Sequence, residues 1–528
     1  MANTTMKPDQ YFFYDTETTG LDHTSQILQF GGILTDGDFN EIKRVERFCL
    51  PRPDVIPAVG AYLTHQIPLS KVIDKGVPEP EFARDMYSDM TEMGRTCSAG
   101  YNTHKFDDNR LRETFFRTNV DPYKREYVAE NSRFDVFKMM KAVYALRPEL
   151  INWPEPNEDG YTPMKLEMIA PLNDVVQTRA HDAMSDVEAT IGVAKLVKEQ
   201  DPKFFDYCLK LRNKSFAGDV IHNRPFMLVG EHVPQTRNYT CIGVPLCQHP
   251  VNKSSTICLD MGRVDEETMD KILSTPAEDL VEEIFNPDFE KRLPIFEVKV
   301  NQLPFVFTPA ILKNNQELAD RSGINFEETM GKIQTMQEDE RFNQLRLHAF
   351  EGYKHQNFET NDVYSKIYDG FTKDWDRKKL LNLSTEDYGS WSSIADTVTS
   401  DNRIKPLTTR AVGNIDIDLL PEQEAADFNQ WMEKRYNDLT GEYGETLPKF
   451  WVDAKEALES EETSEHQKSI VKELVEHTDF YAKEYAPEIY NNKEKYMEEE
   501  MVKRQEEKEM EEPEAKPEKK KASPSPSP

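Results

Sequence analysis

The chain is short of positive charge, of cysteine and of long apolar runs, and each shortage narrows what it can be. Against 65 Lys and Arg stand 96 Asp and Glu in 528 residues, a formal net charge of −31. Phosphate binding draws on basic surface and counterion release, so this balance counts against a nucleic-acid ligand without excluding one. Net charge governs solubility and long-range steering, whereas the field inside a groove can have the opposite sign. The six cysteines (Cys49, Cys97, Cys208, Cys241, Cys247, Cys258) are scattered, with no CxxC pair. That spacing fits neither a zinc site nor a disulfide framework, and it predicts free thiols in a reducing compartment. No apolar run reaches the roughly 18 residues that a membrane-spanning helix needs. The opening MANTTMKPDQ lacks the basic and apolar regions of a signal peptide, so a cytoplasmic location with no membrane partner is expected.

What is present is a folded composition, 38% hydrophobic and 10% aromatic, in a chain too long for one core. Over residues 1–200 strand and helix patterns alternate. Tyr11–Glu17, Gln26–Thr35 and Ile42–Leu50 read as strands, the last as an edge or half-buried one. Asp107–Phe116, Val136–Leu146 and Ser185–Lys198 carry apolar residues at helical spacing. Three antiparallel strands followed by helices and further strands predict an α/β, ribonuclease-H-like mixed sheet. Between 218 and 310 short β-type runs (PFMLVG, CIGVPL, STICLDM, IFEVKV, FVFT) mark a small β-rich domain, expected over 201–355. Charged helical patterns from about 315 to 500 mark a helical domain, expected over 356–495. The stretch 496–528, with no aromatic residue beyond Tyr496 and a Ser-Pro repeat at its end, reads as a disordered charged tail. Its KKK run reads as a solubilising feature rather than a DNA-binding arm.

Three segments carry chemistry. On a strand, residues i and i+2 share a face, so Asp15 and Glu17 of YDTETTG project two carboxylates side by side where the strand ends. Hard divalent cations accept such a site with few protein ligands, although a DxE pair alone also fits a solvated rim. In GYNTHKFDDNRLRETFF, Asp107 opens a helix five residues after Asn102. Asp108 competes for the same role, and an acid at a helix start can be purely structural. In HDAMSD, His181 precedes Asp186 by five residues at the entrance of an apolar helix. A histidine there suits a general base, because its unperturbed pKa lies near neutrality. Acids and an imidazole converging from three segments are what two-metal phosphodiester hydrolysis requires.

The order DxE, NxxxxD, HxxxxD, with DTETTG intact, resembles the DEDDh exonucleases, the group that includes polymerase proofreading subunits and ribonuclease T. Longer strings narrow the resemblance to the bacterial exonuclease I family: ENSRFDVFKMMKAVYALRPELINWP (Glu130–Pro154), TRAHDAMSDVEATIGVAKLVK (Thr178–Lys198), FFDYCLKLRNK (Phe204–Lys214), VNQLPFVF (Val300–Phe307) and KIYDGF (Lys366–Phe371). The likeness spans roughly residues 10 to 490. It departs at Lys165, where the family usually has Arg, in the acidic overall charge, and in the C-terminal extension. Lysine keeps the charge but loses bidentate phosphate geometry.

The resemblance implies an exonuclease domain followed by an SH3-like domain and a helical domain that wrap a single strand. It implies a 3′→5′ exodeoxyribonuclease releasing nucleoside 5′-monophosphates, in DNA repair and recombination. Asp15, Glu17, Asp107 and Asp186 would surround two Mg²⁺ ions, for which Mn²⁺ can substitute, with His181 as the base. Glu17 and Lys165 would also meet substrate, and Arg112, Tyr123, Tyr127, Lys141, Tyr207, Lys214 and His249 are the expected single-strand contacts. A monomer acting on single-stranded DNA, with a single-strand-binding protein as a second partner, completes the expectation. Two other readings stay open on sequence alone. One is an exoribonuclease or proofreading exonuclease with the same five residues; the other is a non-catalytic single-strand-binding protein on an exonuclease fold.

Overall fold

A computed structural model describes residues 8–222, 224–230, 232–313, 315–355, 362–384 and 387–511. Five strands form the first sheet: β1 (Gln10–Thr18), β2 (Ile27–Asp36), β3 (Glu41–Phe48), β4 (Thr96–Gly100) and β5 (Ser132–Asp135), in the order β3-β2-β1-β4-β5. The three N-terminal strands run antiparallel, and β4 and β5 continue the sheet in parallel. The strand period divides β1 between two cores. Tyr11 and Phe13 pack with Val136, Val143, Val187 and Val193, from the helices Val136–Leu146 and Ala183–Gln200. Phe12 and Tyr14 pack with Phe82, Met86, Leu111 and Phe115, from the helices Glu79–Thr91 and Asp107–Arg117. Helices cover both faces, which is why β2 is buried almost end to end.

A second sheet is antiparallel throughout: β6 (Phe226–Val229), β7 (Thr240–Gln248), β8 (Ser255–Asp260), β9 (Ile295–Lys299) and β10 (Phe305–Phe307), in the order β10-β6-β7-β8-β9. Its apolar face shares one core with the first sheet's helices, from Phe134 and Met140 through Phe305 to Leu345. The helices Phe326–Glu338 and Glu340–Lys354 belong to that core through Ile333, Phe342 and Leu345. The C-terminal helices form a separate core around Trp391, Trp431 and Trp451 that also takes in Val59, Ile67 and Val72. The last part of the chain is thereby seated on the first domain.

The tail expectation is corrected for its first half. Residues 493–511 form one helix, Lys493–Glu511. Met497 is buried in the C-terminal core, and Arg504 meets Asp453 at 2.7 Å. The Lys and Glu residues that make the composition look disordered fall at i,i+4 spacing, as in Lys495–Glu499 and Lys503–Glu507, and so support a helix. The remainder of the expected tail, residues 512–528, lies outside the described residues. Among the described residues no helix is long and apolar enough to cross a membrane.

Candidate active site

The carboxylates meet because of the same strand period. Asp15 and Glu17 follow Tyr11 and Phe13 on the face covered by Ala183–Gln200, the helix that carries Asp186 in its first turn. Asp15 pairs across the sheet with Gly31. A Cβ on Gly31 would stand 2.9 Å from the carbonyl carbon of Ala183, so glycine lets the helix start press directly against the sheet beside Asp15. Asp15, Glu17 and Asp186 thus offer oxygens all within 4.8 Å of one another. Thr16 points to the opposite face, where its hydroxyl donates to Asp107 Oδ1 at 2.6 Å, and Asp107 is buried at the start of its helix. Asp186 accepts from Gln177 Nε2 at 2.6 Å and from the backbone N–H of His181 at 3.1 Å.

Electrostatics separate Asp107 from its neighbour. Burial pushes Asp15 well above the usual carboxylate range, with Asp107, Glu17 and Asp186 adding repulsion. Burial and the nearby Asp186 and Asp107 raise Glu17 to about 8. Burial raises Asp107 to about 7 against the hydrogen bond from Thr16, and burial raises Asp186 as well. Asp108 behaves oppositely. Its burial is overcome by the guanidinium groups of Arg133 and Arg125, which hold it well below the usual range, and Tyr14 donates to it at 2.7 Å. Asp108 is therefore a buried counter-ion of the fold, and Asp107 is the acid left for the site. All four carboxylates are raised chiefly by burial, and Asp15 and Glu17 also by the neighbouring acids of the group, so burial outweighs the positive charge near them. Their oxygens are the hard donors that a divalent cation prefers, so the residues present fit such ions.

His181 sits at the mouth of the cluster with a left-handed backbone, φ +60°. Its ring is 43% exposed, and Nε2 lies 3.3 Å from Glu167 Oε2. Lys165 Nζ lies 3.4 Å from the other oxygen of Glu167, which brings the nominated substrate lysine next to the nominated base. Sequence reasoning missed Glu167, Gln177 and Thr16. Thr16 alone had a signal, as the middle residue of the DxE strand.

The expected strand contacts divide. Arg112, Tyr123, Tyr127 and Lys214 line one groove of about 930 Å³, together with Tyr368 and Phe371 of the C-terminal part. Arg133, Arg212 and Lys299 add positive charge there, against Glu126 and Glu130, so the local balance is basic despite the net charge. Within it, Arg112 is held by Glu126 at 2.7 Å and lies over the Tyr123 ring. Lys141 lines an adjoining cavity of about 380 Å³ with Lys105, Lys138 and Lys299 and lies 4.3 Å from the centroid of Phe137. Tyr207 and His249 line neither cavity. The Tyr207 hydroxyl donates to the Val306 carbonyl at 2.8 Å and its ring stacks on Phe307. His249 is buried, and its Nδ1 accepts from the N–H groups of Val251 and Asn252. Both therefore serve the second sheet and its turns.

Known proteins repeat this architecture. Three family models match in series: the Exonuclease family over residues 12–194, the Exonuclease I SH3-like domain over 212–352 and the Exonuclease I C-terminal domain over 361–481. The chain is 32% identical to exodeoxyribonuclease I of Escherichia coli (strain K12) over 462 residues, 84% of this chain and 92% of that one. The zinc-ion-bound form of the E. coli ExoI–ssDNA complex superposes with a TM-score of 0.80 at 28% identity, covering 90% of this chain and all of the other. The ExoI/SSB-Ct complex gives 0.79 at 29% identity, with the same coverage. With an exonuclease domain, an SH3-like domain and a C-terminal helical domain in one order, the chain belongs to the exonuclease I family and is a nuclease.

Proposed function

We propose that the chain degrades single-stranded DNA from its 3′ end, releasing nucleoside 5′-monophosphates, with two Mg²⁺ ions per site. The observation that carries this reading is the cluster of Asp15, Glu17 and Asp186, whose oxygens lie within 4.8 Å of one another, with Asp107 near enough to raise Asp15 and Glu17 and His181 tied by its own backbone to Asp186. Asp15, Glu17 and Asp186 would hold one ion, and Asp15 with Asp107 would help hold the second. Bound there, the ions supply Lewis-acid stabilisation of the charge that develops on the phosphate, and lower the pKa of water. His181 takes a proton from the attacking water. The water oxygen joins phosphorus as the bond to the 3′-oxygen of the preceding nucleotide breaks, and that oxygen takes up a proton as a new 3′-hydroxyl. Lys165, joined to His181 through Glu167, offers a cation to the terminal phosphate.

The groove suits a single strand. Aromatic faces at Tyr123, Tyr127, Tyr368 and Phe371 serve as stacking platforms, and Arg112 and Lys214 meet phosphates. The relative bound to single-stranded DNA and the one bound to SSB-Ct support single-stranded DNA and a single-strand-binding protein as partners. A cytoplasmic monomer acting in DNA repair and recombination completes the reading.

The test uses 5′-labelled single-stranded DNA, matched duplex and matched RNA, each with Mg²⁺ or EDTA. A descending ladder on single-stranded DNA, absent with EDTA and with Asp15→Ala, is expected. Preferential trimming of RNA would move the substrate to RNA, and tight binding without degradation would contradict catalysis.

A further inference from the structure

Glu167 stands in the first turn of the short helix Leu166–Leu172, directly after Lys165. Its two oxygens face different partners. Oε2 lies 3.3 Å from His181 Nε2, and Oε1 lies 3.4 Å from Lys165 Nζ. The other charges around His181 are already engaged. Arg179 and Asp182 pair with each other at 2.8 Å, and Asp186 accepts from Gln177 and from the backbone of His181. Among the described residues, Glu167 is the carboxylate that meets the imidazole ring.

Backbone and ring are thus fixed from two sides. The His181 N–H donates to Asp186, a proposed metal ligand, while the ring lies 3.3 Å from a carboxylate oxygen of a different helix. The left-handed backbone at His181 is a conformation that a side chain bears only when its surroundings enforce it. A carboxylate at one imidazole nitrogen settles which nitrogen keeps its hydrogen, and it stabilises the cation formed when the other takes a proton.

We propose that Glu167 is a positioning residue for this exonuclease. It accepts the Nε2–H of His181, leaves the Nδ1 lone pair to receive the proton of the attacking water, and is itself steadied by Lys165. This rests on His181 being the base. In the hydrolytic step the proton moves from water to Nδ1 while Glu167 stays ionised, so no additional reactant is involved.

The test is a double-mutant cycle on single-stranded DNA with saturating Mg²⁺, comparing wild type, Glu167→Gln, His181→Ala and the double variant. Glu167→Gln keeps the shape and removes the charge. It should lower kcat about ten- to a hundredfold, with KM for DNA and the Mg²⁺ midpoint unchanged. In the His181→Ala background the same substitution should change kcat less than about twofold, because the group it positions is gone. Glu167→Ala, at a half-buried position that tolerates truncation, should reproduce both results. Full activity in Glu167→Gln, or losses that multiply in the double variant, would overturn the proposal while leaving His181 as the base. Wild-type activity in His181→Ala would instead remove the base assignment on which it rests.

Discussion

Two groups of acids, one buried and the other buried or half-buried, adjoin at Asp108 and Asp107 and are built on opposite principles. Asp108, Asp54 and Glu79 are each met by arginine. Asp108 faces Arg125 and Arg133, Asp54 faces Arg52, and Glu79 faces both Arg52 and Arg117. All three are held below the ordinary carboxylate range, since these cations outweigh burial. Asp54 also accepts from Tyr364 and Trp431 of the C-terminal part, so its charge helps dock that part onto the first domain. Among the described residues no arginine forms an ion pair with Asp15, Glu17, Asp107 or Asp186; Arg179 only partly offsets the rise of Glu17, and all four are raised. Acids that carry their own counter-ion hold the fold together, and acids that lack one wait for a cation from solution.

Neutralising one member of each group should separate activity from stability most widely. Asp107→Asn should lower kcat by about a thousandfold or more, as loss of a group acting on the transition state does, with no loss of unfolding midpoint. Asp108→Asn leaves buried Arg125 and half-buried Arg133 beside a neutral amide. It should destabilise the fold by about 3–5 kcal/mol, seen as a lower midpoint in denaturant. If the two variants exchanged these effects, the assignment of Asp107 and Asp108 would be reversed.

The groups should also differ in pH dependence. A carboxylate whose folded pKa lies above its unfolded value favours the fold at low pH, and that contribution is lost as pH rises through the folded pKa. With Glu17 at about 8 and Asp107 at about 7, metal-free protein should lose thermal stability between about pH 5 and pH 8. Asp107→Asn should flatten that slope, and Mg²⁺ should restore stability most at the alkaline end. Asp108 has the opposite sign, since its contribution is present above the usual carboxylate range and is lost only in acid. A midpoint in EDTA that does not fall over this window would contradict the raised cluster.

Two smaller effects sharpen the contrast at the periphery. Lys214 is exposed at the groove. Lys214→Ala should reduce the salt dependence of single-strand affinity by about 0.7 in log–log slope, one phosphate contact, with kcat unchanged. Ending the chain at residue 492 removes buried Met497 and the Arg504–Asp453 pair. That should cost about 1–3 kcal/mol without affecting the acids.

Much of this was legible in the sequence for physical reasons that also mark its limits. The DxE pair could be placed because strand period alone puts Asp15 and Glu17 on one face. Val136–Leu146 emerged at its observed bounds because its apolar spacing is unbroken. The choice between Asp107 and Asp108 could not be read locally, since Arg125 and Arg133 arrive from later segments and decide it. Glu167 gave no signal for the same reason, its partner being 14 residues away across a loop. Composition misled at residues 496–511, where a charged sequence is helical because Met497 and Arg504 dock on a neighbouring helix. The strand-contact nominations separated only once the fold showed that Tyr207 and His249 are engaged with the second sheet.

Counting cations tests most directly whether the acids without an arginine partner form a two-cation site. Calorimetric titration of Mn²⁺ into metal-free protein should show two ions per chain in wild type and at most one in Asp186→Asn, with the Mn²⁺ stoichiometry of Asp108→Asn like that of wild type. Equal binding in wild type and Asp186→Asn, or no binding by wild type, would contradict the account.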